Sequence, residues 1–178
     1  MRPSQRTRLL DAALDVVRAG DPLSLESAAR AADVTKPGLM YHFPTKEDLV
    51  AALVDHRLDQ CETQLTAVLG SEPHGVPASR RIAAYVRWSV EHEPDPADLV
   101  MMSDPRLLSV MTARWADRFR PWVELPDDVD PVERARLNAV RLLADGCWYA
   151  DATGVLPLAA DDRPAVLTLA LELLGDPA

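Results

Sequence analysis

Residues 24–46, SLESAARAADVTKPGLMYHFPTK, decide the fold. Ser24 is a good N-cap for a short helix reaching about Ala32, because its hydroxyl can accept from an amide of the first turn. Thr35 caps a second short helix with Pro37 in its first turn, where a missing N–H costs nothing, and Pro44 ends it. Two short helices meeting at a tight corner, the second opening on free amides and carrying Lys36, Tyr41 and His42, make an arrangement for gripping DNA.

Working outward, helical periodicity dominates and strand alternation is nearly absent, so the chain is predicted to be all-α. A first helix is expected over about Ser4 to Ala19, with Leu9, Ala12, Ala13, Val16 and Val17 on one stripe and Gly20 in the place of a left-handed cap. Thr45, with Asp48 three residues on, starts a fourth helix reaching Leu69. GSEPHGVP over residues 70–77 is a linker, followed by helices at about 79–92, 97–103 and 105–120, a loop WVELPDDVDP, and closing helices at about 131–153 and 161–174. The expected organisation is an N-terminal three-helix helix-turn-helix DNA-binding domain over 1–47 and a C-terminal helical ligand-binding and dimerisation domain over 48–178.

The last helix is apolar almost all round, through Val166, Leu167, Leu169, Ala170, Leu171, Leu173 and Leu174. Such a helix is buried on more than one side. One side would meet the protein's own core and the other a second subunit, giving a homodimer through the last two helices.

Charge is divided unevenly. The chain carries 19 Lys and Arg against 28 Asp and Glu, a formal net charge of −9. Residues 1–57 are neutral, with eight of each sign, so residues 58–178 hold the whole deficit. This excludes a uniformly basic nucleic-acid binder and makes binding depend on which face is presented. Apolar residues make up 48% and no run is long enough for a membrane span. The N-terminus interleaves Asp11 and Asp15 with its apolar residues, unlike a signal peptide, so a cytoplasmic location with no membrane partner is expected. Cys61 and Cys147 stand alone, as reduced thiols, and no metal or cofactor is implied.

In a helix-turn-helix, the N-terminal residues of the second helix meet base edges while surrounding groups hold phosphates. Lys36 can donate to guanine, Thr35 to a base edge or phosphate, Pro37 can meet a thymine methyl, and Gly38 lets the backbone approach. Tyr41, His42 and Lys46 would reach backbone oxygens, and Ser24 would hold the second helix's N-terminus toward a phosphate. Each has a plainer use: Ser24 and Thr35 cap helices whatever the function, Tyr41 can be half-buried core, His42 a surface or capping residue, and Lys36 and Lys46 solvated charges. Glu26 is a difficulty, since it repels phosphate unless it accepts from a cytosine amino group.

Ser24, Ala28, Ala29, Ala32, Val34, Thr35, Lys36, Leu39, Tyr41, His42, Phe43, Pro44, Lys46 and Leu49 carry a resemblance to the DNA-binding domain of the TetR (tetracycline-repressor-like) transcriptional regulators. RLLADGCWYADATGV is similar to the dimer-forming penultimate helix of some members. The resemblance implies a repressor-type regulator that binds a palindromic operator on double-stranded DNA and is released by a small lipophilic effector. Asp33 and Pro37 stand where Gly is usual, and Met40 where the first of two aromatic residues is usual. Met40 removes a hydroxyl that contacts phosphate in relatives, leaving Tyr41, His42 and Lys46 for that grip.

Residues 58–178 hold all four tryptophans, and Trp88, Met101, Met102, Met111, Trp115, Asp145, Trp148 and Tyr149 are candidates to line an effector cavity. Core packing is the competing use for each tryptophan. Asp145 is the candidate buried polar group, with Arg87, His92 and Arg141 as possible partners, or equally an interhelix hydrogen-bond acceptor. An all-helical carboxylate metal-binding enzyme is the rival reading, although Glu-x-x-His, His-Glu-x-x-His, Gly-x-Ser-x-Gly and phosphate-loop motifs are missing. The acidic EHEPDP at 91–96 would serve it only if its side chains converged. A helical interaction module without DNA binding is a third reading.

Overall fold

The computed structural model describes residues 4–103 and 105–175, and among them every regular element is helical. The helices are α1 Gln5–Arg18, α2 Leu25–Ala31, α3 Lys36–His42, α4 Lys46–Leu69, α5 Ala78–Glu91, α6 Pro96–Ser103, α7 Pro105–Val123, α8 Pro131–Thr153 and α9 Arg163–Leu173, with a single 3₁₀ turn at Ala160–Asp162 before α9.

Local chemistry sets the helix ends. Ser4 accepts from the Thr7 amide at the start of α1. Asp130 accepts from the amides of Val132 and Glu133, with Pro131 in the first turn of α8. Gly154, at φ 68°, closes α8 in the left-handed conformation that glycine adopts without steric cost.

Two compact units result. The first holds the chain to Gln60 together with Asp95–Ala116, and the second holds Cys61–Pro94 and the chain from Asp117 onward. In the first, α1 packs on α2 and α6, and Leu9, Leu10, Ala13, Leu14 and Val17 of α1 are buried with Ala28, Leu39 and Phe43. Asp98 of α6 is fully buried and accepts from Arg57 of α4, while Arg18 of α1 pairs with Asp95 at 2.6 Å. The acidic segment 91–96 is therefore not a free cluster, because Asp95 answers arginines from two helices.

In the second unit α5 packs on α8 and α9. Tyr85, Trp88 and Phe119 form a buried ring cluster with centroids 5.9–6.4 Å apart, and Trp88 Nε1 donates to Gln64 at 2.9 Å. Arg81 of α5 is buried and donates to the carbonyls of Val76, Pro121 and Glu124. Pro121 lies in the last turn of α7 and Glu124 directly follows it, so a cation sits where carbonyls at a helix end lack partners. Neither Cys61 nor Cys147 is joined in a disulfide.

Candidate nucleic-acid interface

The corner between α2 and α3 is assembled from its caps. Ser24 and Ser27 exchange side chain and amide bonds at 3.0 and 2.9 Å, a reciprocal capping box. Asp33 takes φ 52°, the left-handed conformation the corner requires and one a short polar side chain tolerates. Thr35 accepts from the Gly38 amide at 3.2 Å, and a Cβ on Gly38 would lie 3.2 Å from the same oxygen, crowding the cap.

Leu39 and Phe43 fix the inner side of α3. Both are buried, and the Arg6 guanidinium lies over the Phe43 ring at 5.2 Å. With that side anchored, Thr35, Lys36, Pro37 and Gly38 are all exposed, and Tyr41 is 85% exposed, which removes its use as core. His42 is half-buried and meets Tyr41 edge-on at 5.2 Å. Lys46 is half-buried in the first turn of α4, whose start is locked by reciprocal 3.1 Å bonds between Thr45 and Asp48. Of the residues singled out on α3, Lys36, Pro37, Gly38 and Tyr41 are thus exposed and His42 is half-buried.

Glu26 has a partner that neighbouring sequence could not indicate. Lys36 Nζ donates to Glu26 Oε1, joining the first turns of α2 and α3 across ten positions of chain. This hydrogen bond, then Glu26's own backbone amide and the Lys36 charge, hold the Glu26 carboxyl below its usual range, so it stays ionised.

The eight residues singled out for a cavity are divided between the units. Met101, Met102, Met111 and Trp115 lie in the first, and Trp88, Asp145, Trp148 and Tyr149 in the second. Met101, Met111 and Trp88 are buried, Met102, Trp115 and Trp148 half-buried, and Tyr149 exposed. Asp145 is not a buried group, since 37% of its side chain is exposed. It pairs with Arg141 one turn before it at 2.5 Å and accepts from Tyr85 at 2.8 Å. His92 instead faces the Trp88 carbonyl at 3.1 Å. A recess of 440 Å³ in the second unit is lined by Pro73, His74, Val76, Arg81, Glu124 and Leu125 among others, and by none of the eight.

On the outer surface of the second unit, Leu142 and Tyr149 of α8 and Leu169 and Leu173 of α9 are exposed, while Leu137, Val140, Ala144, Ala170, Leu171 and Leu174 face inward. Among the described residues no group of three or more His, Cys, Asp or Glu converges as metal ligands, and no helix is long and apolar enough to cross a membrane.

Residues 9–53 match the family described as bacterial regulatory proteins, tetR family, and residues 79–175 match the tetracyclin repressor-like C-terminal domain. No curated protein is significantly similar to the chain. Among solved structures, a protein described as a transcriptional regulator from Streptomyces coelicolor A3(2) is 20% identical, with a TM-score of 0.66 over 97% of this chain and 99% of its own. The multidrug binding protein EbrR, complexed with malachite green, is 22% identical, with a TM-score of 0.63 over 96% and 98%. The transcriptional regulator FadR from Bacillus subtilis, in complex with stearoyl-CoA, is 15% identical, with a TM-score of 0.55 over 94% and 96%. At these identities the similarity is one of fold.

Proposed function

The chain belongs to the TetR family of bacterial transcriptional regulators, and on that premise we propose that it is a ligand-responsive repressor that binds a palindromic operator as a homodimer. The observation that carries this reading is the exposed first turn of α3, with Thr35, Lys36, Pro37 and Gly38 held outward by buried Leu39 and Phe43. Those four residues enter the major groove, while Ser24, Tyr41, His42 and Lys46 hold backbone phosphates. Residues 1–47 form the DNA-binding domain and 48–178 the ligand-binding and dimerisation domain. Regulators of this family are generally not enzymes, and the reading assigns this chain no reaction.

Exposed Leu142 and Tyr149, seven residues apart on α8, and Leu169 and Leu173, four apart on α9, support a second subunit on these helices, because large exposed apolar side chains repeated along one side of a helix suit association. Two-fold pairing would set the α3 helices about one helical turn apart, roughly 34 to 36 Å. A small lipophilic effector bound by the larger domain tilts α4 and changes that separation, releasing DNA. The small molecules held by EbrR and FadR support an effector in general and name none for this chain. A role on bacterial DNA also implies the cytoplasm.

The test is a gel shift of the full-length protein on upstream DNA at two salt concentrations. A retarded complex that survives competitor DNA, weakens with salt and contains two chains is the expected result. Binding that competitor removes completely would sink the reading.

A further inference from the structure

Glu26 stands in the first turn of α2 and Lys36 in the first turn of α3, and their side chains are joined. Both remain substantially exposed, at 57% and 46% of their side chains. An ion pair so open to water contributes little to folding. Its position is the informative part. It lies at the first turn of α3, where Thr35, Pro37 and Gly38 are exposed as well. A carboxylate there opposes phosphate contact and cancels the Lys36 charge at the α3 first turn, so the pair cannot serve as a phosphate clamp.

The pair does offer a fixed donor beside a fixed acceptor. In the major groove a G·C pair presents two adjacent acceptors, guanine N7 and O6, next to one donor, cytosine N4. An ammonium has several N–H groups and can span the two guanine acceptors, while the carboxylate beside it accepts from N4. An A·T pair instead alternates acceptor, donor and acceptor and adds the thymine methyl, so it gives the ammonium no adjacent pair of acceptors.

Resting on the DNA-binding reading above, we propose that Glu26 is a specificity-determining residue: together with Lys36 it reads one G·C pair in each half-site, Lys36 donating to guanine and Glu26 accepting from cytosine N4. The carboxylate lowers affinity for DNA in general and favours sequences that supply the cytosine amino group.

The experiment selects sequences from a randomised duplex library with the full-length wild type, Glu26→Gln, Glu26→Ala, Lys36→Ala and the double variant Glu26→Gln with Lys36→Ala. Affinities are then measured for the selected duplex and for versions with each G·C pair replaced. Wild type is expected to require a G·C pair at one position per half-site. Both Glu26 variants should reduce that discrimination on the order of tenfold while binding random DNA more tightly, and adding Glu26→Gln to Lys36→Ala should change it little further. An unchanged motif and unchanged discrimination in both Glu26 variants would overturn the proposal while leaving the regulator reading intact. Equal weakening on all sequences would also overturn it, by showing that Glu26 only supports the corner. A wild type that selects no motif would overturn the regulator reading, and the inference with it.

Discussion

The guanidinium of Arg57 on α4 meets the carboxylate of Asp98 on α6 through two 2.8 Å hydrogen bonds, with Arg57 buried and Asp98 without any solvent exposure. Two ions taken out of water hold together only while both are present. Replacing Arg57 alone by Met should cost about 3–5 kcal/mol, because it strands a buried carboxylate. The double change, Arg57→Met with Asp98→Leu, should cost much less. Urea unfolding of wild type and the two variants checks this, and equal losses in the single and double variants would contradict it.

Acid should loosen the same region through Asp95. Burial raises its affinity for a proton, but the Arg18 guanidinium, the Ala97 amide and the Arg57 charge outweigh burial and leave the carboxyl below its usual range. The folded state therefore binds the proton more weakly than the unfolded chain. Its contribution is complete above the unfolded value of about 3.9 and disappears as pH falls through that value toward the folded one. Asp95→Asn should be less stable than wild type at neutral pH, with the difference shrinking toward about pH 3. Thermal unfolding across that range measures it, and a constant difference would speak against the assignment.

Leu169 and Leu173 are 55% and 43% exposed on α9. Glu at both positions should cost the fold little and convert the proposed dimer to monomers at micromolar concentration. Sedimentation equilibrium, with helical circular dichroism as the control for folding, reads the outcome; dimers surviving the double change would place the interface elsewhere.

Lys46 is half-buried and lies beside the first-turn amides of α4. Lys46→Ala should weaken binding to all DNA sequences alike and lower the slope of log affinity against log salt by about one. A loss confined to particular sequences would mean that Lys46 touches a base.

Much of this architecture is legible in local sequence because local bonds make it. Ser24, Thr35 and the Thr45–Asp48 pair each close a contact within three residues, and Gly20 and Gly154 supply positive φ where their helices stop. Even the departure at Asp33 is readable, since a short polar side chain reaches the same backbone conformation as glycine. The contacts that escape are distant in the chain. Arg57 and Asp98 lie 41 residues apart, and nothing in PDPADL distinguishes a buried carboxylate from an exposed loop. Arg81 finds carbonyls 40 and 43 residues away, and a carbonyl has no sequence signature. Asp145 misleads for a related reason: its apolar neighbours suggest burial, yet Arg141 one turn back draws it toward water. The aromatic and methionine side chains are visible as a composition, but their division between two units depends on where α6 and α7 return, which no short window contains.

The left-handed aspartate at position 33 carries one more consequence. Glycine at a bend gives an unfolded chain many rotations to lose, and gives the folded bend a wide basin in which to rock; a residue with a side chain narrows both. The two helices flanking residue 33 should therefore swing less about their hinge than they would around glycine. In the proposed complex the tip of α3 is then presented at a nearly constant pitch, so fewer orientations have to be discarded when a duplex arrives.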